Sequence, residues 1–302
     1  MRLRSKVFSN VWGRQLCVNA LWRNALLCLV FVLAFGMYGC ITETQSQEAP
    51  DPFKCLRNTA PTLKTASSSN SNNSEEPLGQ ISSPIYALKR ALWKRPDHAI
   101  PVCFESNLVN TRPASDMALI RSAAEDTWGT ALDFDELPAE QRVHFVGWGE
   151  CTSNDTDSIR IGAGDGSVRP YASALGSEIA GLQNGIVFNF TFKSWSTGCS
   201  ANEAVRKICV YNIAVHEFGH ALGLAHEQNR PDTDDATCTA EKNGENGDVT
   251  LGPWDLQSVM NYCNPSWNNN GVLSKMDRIG IQALYYPQYF NFECISDPAV
   301  SQ

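Results

Sequence analysis

The stretch His216-Glu217-Phe218-Gly219-His220-Ala221-Leu222-Gly223-Leu224-Ala225-His226 decides how this chain reads, and it holds three of the five histidines. His216 and His220 are four residues apart, so an α-helix presents both imidazoles on one face, to one ion. Glu217 stands beside them, near enough to hold a water without being a ligand. A continued helix would carry a third ligand away from the ion. Gly223 supplies the escape: glycine takes positive φ, ends the helix and turns the chain back so that His226 completes the set. The remaining positions, among them Ile213, Val215, Phe218, Leu222 and Leu224, are apolar. They predict a buried helix over Val210–Leu222. Three neutral nitrogens with one position left open is the pattern of catalytic rather than structural zinc. Such an ion lowers the pKa of water towards ~7 and polarises a carbonyl. Glu217 then takes the proton of the attacking water and passes it to a leaving amine.

Outward from this segment, the pattern predicts α+β architecture in one domain with a mixed sheet. Ile100–Phe104 has strand character, with Pro101 pointing to an edge or a strand start. Ser115 can cap a helix carrying Met117, Ile120, Ala124 and Trp128 at helical spacing. Arg142–Trp148 alternates Val143, Phe145 and Gly147 against His144, Val146 and Trp148. Ser158–Ile161 reads as a short strand, and the Gly/Asp-rich loop at 162–166 as a turn, with calcium an unsupported alternative. Ile186–Phe192 alternates most strongly of all. Near the end, Ser274 and Asp277 have the spacing of a capping box for a last helix, with Ile279, Ile281, Leu284 and Tyr285 on its apolar face.

With the segment Ser258-Val259-Met260-Asn261-Tyr262 added, the chain resembles the metzincin zinc peptidases, whose signature H-E-x-x-H-x-x-G-x-x-H is followed by a methionine turn. Within them it is most similar to the astacins. His226 is followed by Glu227, Arg230 and Asp232 in the astacin arrangement, although Thr233 stands where a second Arg is usual. The resemblance implies a single catalytic domain: a twisted mixed sheet with an edge strand over the cleft, a long active-site helix and a C-terminal helix. It implies zinc on His216, His220 and His226, with Glu217 and Tyr262 catalytic and Met260 as an apolar floor. Glu227 would be a supporting residue, paired in astacins with the freed N-terminus; without a visible propeptide its partner here is open. Ile186–Phe192 would be the edge that pairs with extended peptide substrate. No propeptide switch of the astacin or matrixin kind is present. Cys55 as a zinc-blocking thiolate is one alternative, a disulfide to Cys294 the other.

The 302 residues carry a net charge of −8. Residues 1–40 hold basic residues and no acids, so the remainder is more acidic still, which disfavours nucleic acid as a partner. The basic start, the apolar run Ala25–Gly39 and Cys40 after Gly39 read as an export signal resembling that of a bacterial lipoprotein, with lipid on Cys40; plain secretion is the alternative. Residues 41–81 read as a Ser/Asn-rich tether, and 82–302 as the catalytic domain. Beyond Cys17 and Cys28 in the leader and Cys40, eight cysteines remain, an even number that suggests disulfides in an oxidising compartment. Cys199–Cys209 would close a short loop, and Cys238–Cys263 would tie down the segment after the histidines. Two functions fit: an extracytoplasmic zinc endopeptidase acting on peptides or proteins, or an inert zinc-bearing surface lipoprotein or adhesin. Oligomeric state is not legible.

Overall fold

A run such as Ile186-Val187-Phe188, apolar without a break, suits a strand covered on both faces, and the structure puts it in the interior of a sheet. The computed structural model describes residues 62–63, 85–164 and 166–291, all within one unit spanning 50–302. The export signal with Cys40, nearly all of the tether, Cys55 and Cys294 lie outside the described residues, as does Asp165 of the Gly/Asp loop.

In chain order the strands are β1 (Thr62–Leu63), β2 (Ile85–Ala87), β3 (Ala99–Phe104), β4 (His144–Glu150), β5 (Ile159–Ala163), β6 (Tyr171–Ala172), β7 (Ile186–Phe188), β8 (Val249–Leu251) and β9 (Phe290–Asn291). The main sheet has the order β4-β3-β5-β7-β6. All its pairs are parallel except β6 on β7. Two antiparallel pairs, β2 with β8 and β1 with β9, complete the strands. The helices are α1 (Ser106–Val109), α2 (Ala114–Ala123), α3 (Thr130–Leu132), α4 (Glu203–Ala221) and α5 (Lys275–Tyr285), with a π-helical stretch at Ala124–Gly129 between α2 and α3. The mixed sheet, the long helix α4 and the C-terminal helix α5 make the α+β domain that the sequence pattern predicts.

The core forms where Ile100, Val102, Ile159, Ile161, Ile186 and Phe188 of the sheet meet Val210, Ala214, Val215 and Phe218 of α4 and Ile120 and Trp128 near α2. Burying each of the larger side chains contributes roughly 1.5–3 kcal/mol. Pro101 is tolerated in β3 because pairing with β5 begins only at Val102, so the missing N–H faces no partner there. Cys103–Cys151 then ties β3 to the chain leaving β4.

Several expectations need correction. The strand expected at Ile186–Phe192 ends at Phe188 and is not the edge. Asn189 turns its side chain back to the Thr191 and Phe192 amides, and Phe192 sits at φ 54, so the alternation is that of a turn. The edge on that side is β6, two residues long and too short to carry a pattern. In β4 the alternation breaks at Gly147 and Trp148, both at positive φ. Trp148 is an extra residue between Gly147, opposite Val102, and Gly149, opposite Cys103. This bulge swings its indole to the same buried side as Phe145. Ser115 does not cap α2; Pro113 holds the N-cap position and Ala114 is the first helical residue. Helix α4 begins seven residues before Val210. Its first turns carry Glu203, Arg206 and Lys207 and so lack an apolar signature. The capping box of Ser274 and Asp277 is present as expected.

Candidate active site

Helix α4 is fixed at both ends. Asn202 caps it, accepting the Val205 amide, and Cys199–Cys209 clamps its first turns. At the other end Gly223 takes φ 97, and the Leu224 amide returns to Gly219 O. The released chain is captured at once by β2: Leu88 N donates to Gly223 O, and Ala225 N to Tyr86 O. That added pairing aims His226 back at the helix.

The three Nε2 atoms converge at 3.1 Å (His216–His220), 3.1 Å (His220–His226) and 3.3 Å (His216–His226). Each Nδ1 faces a backbone carbonyl: Val259 O at 2.8 Å for His216, Leu224 O at 2.7 Å for His220 and Asn243 O at 2.9 Å for His226. A carbonyl only accepts, so each Nδ1 carries the proton and each Nε2 turns a lone pair inward. Three lone pairs facing one another in a buried spot repel unless a cation sits among them. Burial, then the neighbouring imidazole of His226, pushes His216 down to about 3. Burial first also drives His220 well below its ordinary value and lowers His226. All three are therefore neutral at pH 7, the form a metal requires. Among the described residues this is the one group of His, Cys, Asp or Glu that could hold a metal ion, and an all-imidazole set with an open side suits zinc.

Around this centre the structure gathers the other residues singled out in the sequence. Glu217 is buried, and its carboxyl group accepts the Ala172 amide of edge strand β6; burial pushes it up to about 8. Tyr262 sets its ring, tilted, 4.4 Å from that of His226 and 5.5 Å from that of His216. It is 49% exposed, so its phenol reaches the cleft. Burial and the nearby Glu217 raise that phenol to about 12. Met260, 1% exposed, lies under Gly219, where an added Cβ would come within 2.4 Å of its Sδ. Glu227 pairs with Arg230 at 3.3 Å and accepts the Asp255 amide at 3.1 Å. This supplies the partner that the sequence left open. Arg230, fully buried, grips Asp232 through two contacts of 2.8 Å. Thr233, where a second Arg is usual, bonds the carbonyls of Gln228 and Arg230 instead.

The segment carrying Met260 and Tyr262 is held from below by Asp277. Its carboxyl group accepts Ser258 Oγ at 2.7 Å, Val259 N at 3.0 Å and Ser274 N at 2.9 Å. One residue thus caps α5 and sets the Val259 carbonyl that orients His216. Cys238–Cys263, as expected, clamps the chain next to Tyr262. Trp128 donates its indole N–H to Val215 O at 2.7 Å and lies against Gly219, fixing α4 from the π-helical stretch. A cleft of about 430 Å³ opens over the centre, lined by His216, Glu217, Tyr262, Arg169, Trp195 and Trp267 among others. The sequence reading missed Asp277's second role, Trp128, Arg169 and β6. The capping box marked Asp277 and helical spacing placed Trp128 on an apolar face, but neither told of the grip on Ser258 or the contact with α4, and nothing local marked Arg169 or β6.

Residues 203–282 match the family model for Astacin, a family of peptidases. That span runs from the first residue of α4 into α5 and takes in the triad, Met260 and Tyr262. The chain is also 26% identical over 182 residues to the zinc metalloproteinase nas-25 of Caenorhabditis elegans, an alignment covering 55% of this chain and 40% of the relative. The chain thus spans under half of that protein's length. Two solved structures of myroilysin are similar at 20% and 18% identity, covering 67% and 65% of this chain and 98% and 86% of theirs, with TM-scores of 0.43 and 0.40. The segment that carries the site is astacin-like.

Proposed function

We propose that this chain is a zinc-dependent endopeptidase of the astacin-like metzincin kind, with Glu217 as its general base and Tyr262 as a hydrogen-bond donor to the reacting carbonyl. One observation carries this reading. Three converging Nε2 atoms, each with its Nδ1 spent on a carbonyl, stand beside a buried carboxylate that the edge strand holds in place. Zinc on His216, His220 and His226 supplies Lewis acidity, polarising the scissile carbonyl and acidifying water.

The protein's own groups do the rest. The free edge of β6, whose Ala172 amide is held by Glu217, leaves its remaining outward backbone groups to pair with an extended substrate. Glu217, buried and aimed into the cleft, takes a proton from the attacking water and returns it to the leaving amine. The Tyr262 phenol, exposed to the cleft, donates to the oxygen that gains charge. Gly223, Met260 and Glu227 keep the ligand loop and the methionine turn in register. The three described disulfides support residence in an oxidising compartment. Within that setting the export signal and lipid at Cys40, or secretion, complete the proposal, with 41–81 as tether and 82–302 as the catalytic domain.

The test is hydrolysis of an unfolded protein by the purified chain. Cleavage that stops in Glu217→Ala, stops with a chelator and returns with added zinc supports the assignment. A wild type as inert as Glu217→Ala while holding one zinc per chain would favour the zinc-bearing lipoprotein or adhesin instead.

A further inference from the structure

The Tyr262 side chain is loosely held. Half of it is exposed, and among the described residues no hydrogen bond fixes its hydroxyl. Its ring meets those of His226 and His216 only at a tilt. The place of the phenol is therefore set largely by the backbone. The Tyr262 amide has one acceptor among the described residues, Gln228 Oε1 at 3.1 Å. Gln228 is 0% exposed and stands two residues after His226, in the tight turn Glu227–Asn229. The nitrogen of its side-chain amide is buried and finds no acceptor. A buried amide with an orphan donor carries a desolvation penalty that an apolar residue of similar size avoids. What the apolar residue lacks is the oxygen facing Tyr262. The neighbouring links of this seam reach other residues. Glu227 N donates to Met260 O at 3.0 Å, and Cys238–Cys263 ties down the residue after Tyr262. Among the described residues, Gln228 alone hydrogen-bonds the loop bearing His226 to Tyr262 itself.

We infer that Gln228 is a positioning residue: its side-chain carbonyl passes the setting of the His226 loop on to Tyr262 and holds the phenol where it meets the reacting carbonyl. The inference rests on the peptidase reading, in which Tyr262 donates to that oxygen. A donor to a developing charge acts over a narrow range of distance, and a misplacement of about 1 Å costs up to about 10²-fold in rate. Gln228 does not line the cleft, so its loss should leave substrate binding as it was.

The test compares three substitutions: Gln228→Met, similar in size but without the acceptor; Gln228→Asn, which draws the amide back by a methylene; and Gln228→Glu, which keeps the oxygen. Each is made in the zinc-loaded wild type and in Tyr262→Phe. Steady-state cleavage of a fluorogenic peptide, copied from a site cut in an unfolded protein, gives kcat and KM. Fluorine NMR of the chain labelled with fluorotyrosine follows Tyr262, its signal identified by its loss in Tyr262→Phe. Gln228→Met should lower kcat by about 10- to 10²-fold, with KM and zinc content unchanged and the Tyr262 signal displaced. Gln228→Asn should do the same more weakly, and Gln228→Glu should restore both rate and signal. In Tyr262→Phe the same substitutions should change kcat by less than about twofold, because the group they place is gone. Equal losses in both backgrounds, a loss carried by KM or zinc content, or no rescue by Gln228→Glu overturns the inference. If Gln228→Met does not fold, Gln228→Asn decides by the same criteria. If no peptide is cut, or Tyr262→Phe is as active as wild type, the peptidase reading or its use of Tyr262 fails, and the fluorine signal decides. A signal displaced by Gln228→Met and restored by Gln228→Glu keeps Gln228 as the residue that places Tyr262; an unmoved signal overturns it.

Discussion

Glu217 must be buried enough to shed water and still lie open to a substrate. Its surroundings meet both needs, with the β6 amide on one side and the cleft on the other. Glu217→Gln keeps the shape and the Ala172 contact but removes the proposed base. Activity should therefore fall by roughly 10²–10⁴-fold, with zinc content unchanged by metal analysis. Tyr262→Phe removes the proposed donor, which on that reading matters only as charge develops. It should lower kcat by about 10²–10³-fold with little change in KM. A loss confined to KM would instead make Tyr262 a ground-state binding contact. Its tilted ring contact with His226 survives the substitution, so zinc uptake should also survive. Steady-state kinetics beside metal content separate these outcomes.

At the scale of elements, the site is a junction of α4, the β2 pairing after Gly223, and the turn pinned to α5 by Asp277. Asp277→Ala leaves the hydroxyl of Ser258 and the amides of Val259 and Ser274 without their acceptor inside the protein. The expected cost is about 3 kcal/mol of stability. The Val259 carbonyl would also loosen from His216, weakening zinc by about tenfold or more. Denaturant melts and a zinc-competition titration measure the two losses; unchanged zinc affinity would deny Asp277 its supporting role. The same junction separates what was legible in the sequence from what was not. The ligand triad was legible because its information is local: a four-residue spacing, one glycine and one histidine three positions on. Asp277's capping role was local too, but its grip on Ser258 crosses 19 residues and leaves no periodic trace. Ile186–Phe192 misled because alternation alone cannot tell a strand from a strand that runs into an Asn-held turn. The true edge, Tyr171–Ala172, is defined only by the strand it pairs with.

Across the whole molecule, the centre buries groups whose titrations oppose one another, and this sets how the metal-free protein responds to pH. His216, His220 and His226 are neutral in the fold, with folded pKa values depressed below the unfolded 6.5. Below that value the unfolded chain binds protons that the fold refuses, so stability is lost on acidification, from pH 6.5 down towards about 3. Glu217 and Asp277 act in the other direction. Burial raises them to about 8 and about 6 from unfolded values of 4.5 and 3.8. As pH climbs through those windows the fold must retain protons that the unfolded chain has released, so stability falls as pH rises. Glu227 adds to this limb, since burial outweighs its pairing with Arg230. The two limbs meet in a stability maximum at about pH 6 for the chelated protein. Zinc should remove much of the alkaline limb, because a cation beside Glu217 favours its charged form. It should also raise stability throughout the range where the imidazoles are free to bind. Thermal melts of the chelated wild type from pH 4 to pH 9 should trace this dome, and those of Glu217→Gln a shallower decline above its top. A profile flat between pH 5 and pH 8, or one still rising at pH 8, would mean that these side chains are not buried together as described.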